Sequence, residues 1–184
     1  MAYRNGTYVA FDGLGEADPT KSDFKYYGII QSWDASKEID FQFVNSHDKT
    51  YAVKDTSLLE TLKNRINERL SNSKNAIIIL SPDTRKNGSL LTFEIEHAVD
   101  YYKIPLVISY VDVSFPVRVV DLFQNYWPYA LSNRIKNNTA KAIHVPFKKE
   151  PIFDAIGRFG VNGKMLGDAK VTYNDEAYKA WRII

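Results

Sequence analysis

Residues 76–102 read AIIILSPDTRKNGSLLTFEIEHAVDYY, and this stretch decides the fold. Ala76-Ile77-Ile78-Ile79-Leu80 is an unbroken apolar, β-branched run with no position for a wet face. It predicts a strand in the middle of a parallel sheet, covered on both sides. Ser81-Pro82-Asp83 ends the strand, Lys86-Asn87-Gly88 supplies a turn, and Ser89 opens a helix. Ligands of open parallel sheets bind outside the carboxyl ends of the strands, where this turn and the start of this helix fall.

At about 100° per residue, Leu91, Ile95, Ala98 and Tyr102 share one narrow stripe, which should face the core. Glu94 lies roughly 75° from the middle of that stripe and Glu96 roughly 125° away. Glu94 is therefore a border acid that can lean into a cleft, whereas Glu96 should point to water. By itself such a border glutamate reads first as a solvated helix acid. If semi-buried, it is a carboxylate able to hold positive charge or move a proton.

Working outward, five apolar runs recur at βαβ intervals: Thr7–Phe11, Ile39–Asn45, Ala76–Leu80, Leu106–Val111 and Ala142–Phe147. Helical patterns fall at Ser22–Ser36 and at Thr56–Asn72, where Ser57 and Glu60 have capping-box spacing and Leu59, Leu62, Ile66 and Leu70 form a stripe. A further helix is expected near Tyr129–Asn137, inside the aromatic segment Val113–Lys141. The alternation implies a mostly parallel five-stranded α/β sheet with helices on both faces. Ile39, Phe41 and Phe43 alternate with polar residues, which suits an edge strand. Residues 1–150 read as one domain. Residues 151–184, glycine-rich and then helical at Asn174–Arg182, read as a C-terminal appendage packed on it.

The composition narrows the function classes. A chain of 184 residues, 45% hydrophobic and 14% aromatic, can build a substantial core. The net charge of +2 comes from scattered, nearly balanced charges, so nucleic acid is not expected as a partner. There are no cysteines, which removes disulfides, thiolate metal sites and cysteine nucleophiles. The histidines at 47, 97 and 144 lack metal-ligand spacing, so no metal is expected. Without an apolar signal core or a run approaching the ~18 residues of a membrane helix, the expected setting is the cytoplasm, with no membrane partner.

Two further loops can carry chemistry. Phe11-Asp12-Gly13-Leu14-Gly15 follows the first strand and could let backbone amides approach a phosphate. The dinucleotide fingerprint fails there, because position 18 is Asp. Val44-Asn45-Ser46-His47-Asp48 ends the second strand in hydrogen-bonding groups, which reads first as an ordinary polar βα loop. No nucleophile motif accompanies His47.

The strand order, the AIIILSPDTR strand and turn, and SLLTFEIEHAVDYYKIPLVISYVD together resemble a Toll/interleukin-1 receptor (TIR) domain over roughly residues 5–150. Within that family they resemble the bacterial TIR-like branch of Thoeris antiphage defence, its ThsB component. The family pattern falls on Ser81, Leu90-Leu91, Thr92-Phe93, Glu94, Ile95 and Ala98. Where many enzymatic members end their first strand in Ser plus Tyr or His, this chain has Phe11-Asp12-Gly13, and Leu90-Leu91 replaces a Trp-Cys pair. The resemblance implies a flavodoxin-like or TIR-like fold and cleavage of the N-glycosidic bond of NAD+, with Glu94 as the catalytic carboxylate. The ADP-ribose would close into a cyclic isomer, a diffusible nucleotide that activates a separate NAD-depleting effector. NAD+ is then substrate, with no other cofactor. Phe11 could stack on nicotinamide or ribose, and Asp12, Ser46 and Ser81 could bind hydroxyls or phosphate. TIR domains often work by assembling, so a homo-oligomer is possible, and a non-catalytic assembly module stands as the alternative. Another kind of nucleotide-binding α/β domain is a third option.

Overall fold

The computed structural model describes residues 4–16, 20, 22–34, 43–44 and 56–184, with the backbone alone at 43–44 and 56–58. Among these residues one sheet carries β1 (Gly6–Ala10), β2 (Phe43–Val44), β3 (Ser73–Leu80), β4 (Leu106–Tyr110), β5 (Ala142–Pro146) and β6 (Val171–Thr172). The strand order is β2-β1-β3-β4-β5-β6, and every neighbouring pair is parallel. The α-helices described are α1 (Phe24–Asp34), α2 (Thr56–Ser71), α3 (Leu90–Glu96), α4 (Tyr129–Lys136), α5 (Lys149–Arg158) and α6 (Asp175–Ala180), with a 3-10 helix at Val120–Tyr126. The five expected strands are present in flavodoxin-like order, with β2 at the edge. The rest of the second run, residues 39–42 and 45, lies outside what is described, as does the Ser57 side chain.

The chain begins in β1, steps out to β2, then crosses back to lay β3 on the other side of β1. At such a switch point the connections leave the sheet in opposite directions and open a crevice. Strand alternation explains why the 76–80 run has no polar position. Tyr8, Ala10, Ala76, Ile78, Leu80, Leu106, Ile108 and Ala142 pack into one layer with Leu62, Ile66 and Leu70 of α2, Leu91 and Ile95 of α3 and Leu131 and Ile135 of α4. Val9, Phe11, Ile77, Ile79, Val107, Ile143 and Val145 pack into the other with Tyr27 and Ile30 of α1 and Ile152, Phe153 and Ile156 of α5.

After α3 the helix widens into a π turn over His97–Tyr101, with Tyr102 N donating to His97 O at 2.9 Å. The extra residue advances the buried stripe, so Val99 joins Ala98 in the core and Tyr102 is only partly buried. A uniform 3.6-residue period cannot register that shift.

The C-terminal region differs from the expected division. The boundary at residue 150 falls inside α5, which was not expected, because Pro151 and the flanking charges hide its start. In the first turn of a helix a proline forfeits no intrahelical bond. Asn75 of β3 holds the far end of α5, its Nδ2 donating to Ile156 O at 2.9 Å and Phe159 O at 2.6 Å. The chain then passes so close to β3 that a Cβ on Gly160 would meet Lys74 O at 3.3 Å. Further on, β6 adds a sixth strand beside β5, and Tyr178 of α6 is fully buried, its hydroxyl accepting from Val117 N at 3.3 Å.

A buried polar chain ties these parts together. Trp127 Nε1 lies 2.8 Å from Tyr110 Oη, Tyr110 Oη lies 2.7 Å from His144 Nδ1, and His144 Nε2 lies 2.9 Å from Ala169 O. An indole only donates and a carbonyl only accepts, so the protons are fixed: Trp127 to Tyr110, Tyr110 to His144 Nδ1, and His144 Nε2–H to Ala169. A second imidazole proton, on Nδ1, would take away the acceptor of the Tyr110 hydroxyl, and burial pushes the His144 pKa down to about 4. A folded-state value below the unfolded one makes this contribution, roughly 3 kcal/mol, fully present above pH ~6.5 and lost as pH falls through about 4. By nitrogen NMR, His144 is expected to keep the neutral Nε2–H pattern at pH 5. A titration midpoint near 6.5 would contradict the proton order.

Candidate functional site

The crevice at the β1/β3 switch point is a cleft of about 290 Å³. Its lining comes from the loop after β1 (Phe11, Asp12, Gly13, Gly15, Glu16), from Ser22, from the segment between β3 and α3 (Arg85, Gly88, Ser89), and from the first residues of α3 (Leu90, Leu91). The volume, near the lower end for small-molecule sites, suits a nucleoside-sized portion of a ligand.

Phe11 is 4% exposed and contributes to the wall from within an aromatic stack, its ring 5.7 Å from Tyr27 and 5.8 Å from Phe24. Asp12 is fully buried and already engaged. It accepts from Leu14 N at 2.9 Å, Arg85 N at 2.9 Å, Arg85 Nε at 3.0 Å and Arg85 Nη2 at 2.6 Å. The loop reaches this position through Leu14 (φ 54) and Gly15 (φ +75), and a Cβ at Gly15 would lie 3.6 Å from Arg85 Nη1. The hydrogen bonds to Asp12 raise the Arg85 pKa, so its charge is permanent.

Ser81, where β3 ends, is buried away from the cleft lining. Its Oγ donates to Asp23 Oδ2 at 2.9 Å, and its backbone N–H donates to Thr84 Oγ1 at 2.8 Å. Asp23, just before α1, is 2% exposed. Burial pushes its carboxyl up to about 6, opposed by the Ser81 hydrogen bond and reinforced by the negative charge of Asp12.

Glu94 is not a border residue: it is 1% exposed. Tyr8 points from β1 into the same layer, and its hydroxyl donates to Glu94 Oε1 at 2.5 Å. Burial is the main cause that pushes the Glu94 pKa up to about 7, with Asp12 adding to it and Tyr8 and Arg69 opposing. A carboxyl that exchanges its proton near neutrality can act as acid or base there. It lies one helical turn beyond Leu90 and Leu91, which line the cleft, and is not itself part of the lining.

Of the residues singled out in the sequence, Phe11 and Asp12 line the cleft, Ser81 and Glu94 are buried and do not line it, and Ser46 is outside the described residues. Tyr8, Asp23 and Arg85 were missed. Tyr8 could have been found by strand parity, since it shares a face with the residues that meet α3. Arg85 read as a turn residue and Asp23 as part of a helix start, and neither carries a sequence signal for its partner.

Comparison with known families matches residues 8–114, more than half of the chain, to the family described as Thoeris protein ThsB, TIR-like domain. The matched span runs from within β1 to beyond β4 and includes the cleft lining, Tyr8 and Glu94.

The raised Glu94 pKa has a consequence for stability. A folded-state value above the unfolded one favours folding below pH ~4.5 and loses that advantage as pH rises through about 7. Glu94→Gln keeps an acceptor for Tyr8 and carries no charge. Relative to wild type, the variant should gain roughly 3 kcal/mol more stability at pH 8 than at pH 4.5, read by urea unfolding. An equal difference at both pH values would show that Glu94 titrates as an ordinary surface acid.

Proposed function

The chain belongs to the TIR-like domain family of the Thoeris protein ThsB, and from that membership we propose that it is an NAD+-processing enzyme of antiphage defence. In this reading it breaks the bond between nicotinamide and ribose and closes the ADP-ribose into a cyclic isomer. That product activates a partner effector that depletes NAD. NAD+ is consumed as substrate, in the cytoplasm, and no resident cofactor takes part.

The observation that carries the proposal is Glu94, buried beside the switch-point cleft with a pKa near 7. Nicotinamide leaves as a neutral molecule from a cationic ring and takes the bonding electron pair, so no strong acid is needed. The ribose is left with oxocarbenium character, which a nearby carboxylate stabilises. Ring closure requires a nucleophile of the same ADP-ribose to attack the anomeric carbon and lose a proton. A carboxylate that titrates near neutrality can accept it. Tyr8 holds one oxygen of that carboxylate in place.

The burial of Glu94 also favours a second reading, an assembly module without chemistry. It equally fits an enzyme whose Leu90–Leu91 wall must shift, on assembly or ligand binding, before the carboxylate meets substrate. Mass spectrometry of the protein incubated with NAD+, alone and in lysate of phage-infected cells, separates these. A cyclic ADP-ribose isomer that falls at least a hundredfold in Glu94→Gln is expected, with activity rising through about pH 7 as the carboxylate forms. Failure of the wild type to release nicotinamide in either setting would leave the assembly module.

A further inference from the structure

Arg85 is the only cation among the described residues that line the cleft. Its guanidinium is fixed on one edge: Nε and Nη2 both donate to Asp12, a carboxylate with no solvent exposure. The other edge is left over. Nη1 has no hydrogen-bond partner among the described residues, and 40% of the Arg85 side-chain surface is open. Gly15 passes beside Nη1 without a side chain, and the positive φ there disfavours acquiring one. A planar fork held by its Nε edge has lost most of its rotamer freedom before any ligand arrives, and its remaining donors match the oxygens of a phosphate.

We propose that Arg85 is the phosphate-contacting residue of the cleft, offering Nη1 to a phosphate oxygen of the bound nucleotide, and that Asp12 is the positioning residue that aims it. This rests on the reading of the cleft as the NAD+ site and deepens it. Asp12 then contributes through Arg85, its oxygens being occupied, and does not bind ribose hydroxyls. Glu16, an exposed acid in the same lining, opposes an incoming anion.

Calorimetric titration with ADP-ribose, nicotinamide riboside and inorganic pyrophosphate tests the assignment. R85Q should weaken ADP-ribose roughly tenfold to a hundredfold while changing nicotinamide riboside less than about twofold. R85K, which keeps the charge without the fork, should fall between R85Q and wild type, and E16Q should tighten ADP-ribose. R85Q strands a buried carboxylate, so D12N/R85Q is measured beside it, with circular dichroism to confirm folding. Pyrophosphate bound in an Arg85-dependent way would show that phosphate alone suffices. Dependence with ADP-ribose only would assign the contact to a nucleotide phosphate, and both results support the proposal. Unchanged ADP-ribose affinity in a folded variant, equal loss of ADP-ribose and nicotinamide riboside, or no wild-type binding of either phosphate-bearing probe would overturn it. If the wild type released no nicotinamide yet bound ADP-ribose through Arg85, only the NAD+ cleavage reading would fall.

Discussion

The interaction on which the site depends is the hydrogen bond from Tyr8 to Glu94, made inside the layer between the sheet and α3. Moving a carboxylate out of water is costly, and a single hydroxyl offsets only part of that cost. The balance shows as a pKa near 7 where an exposed glutamate would be near 4.5. Its position follows from topology. Because β1 and β3 are neighbours across the switch point, a residue of the first strand and one from the helix after the third can share a buried space.

A second constraint governs the cleft itself. Asp12, Asp23 and Glu94 are all buried at the same end of the sheet, and Asp12 repels the other two enough to help raise their pKa values. Asp12 is joined to Arg85, Asp23 shares a hydrogen bond with Ser81, and Glu94 shares one with Tyr8. The ionic pair lines the cleft, whereas the two acids whose pKa values burial raises do not. In the proposed function, ligand recognition and proton exchange fall to different residues. They are linked through the charge on Asp12 and the Leu90–Leu91 wall.

Much of this was legible in the sequence, and the limits are physical. The 76–80 run declared a doubly covered parallel strand because each of its positions meets a helix layer. Glu94 was found by its angle on α3, but the angle could not give its depth: a border position becomes interior only when a facing strand supplies a donor, and Tyr8 sits 86 residues away. Asp12 was recognised as a loop acid, yet its engagement by Arg85 is a contact across the switch point that no local pattern encodes. Helix α5 was hidden by Pro151, and β6 by its two-residue length, since so short a strand has no periodicity to read. The π turn after α3 escaped because periodicity assumes a constant pitch.

The most direct measurement is the ionisation of Glu94 itself, followed by carboxyl carbon NMR of protein labelled at glutamate, with Glu94→Gln used to assign the resonance. A midpoint near pH 7, moving higher when Tyr8→Phe removes the hydroxyl, is the expected result. A midpoint near 4.5 that ignores Tyr8→Phe would mean that Glu94 is an ordinary solvated acid, and the buried, proton-exchanging carboxylate at the switch point would be contradicted.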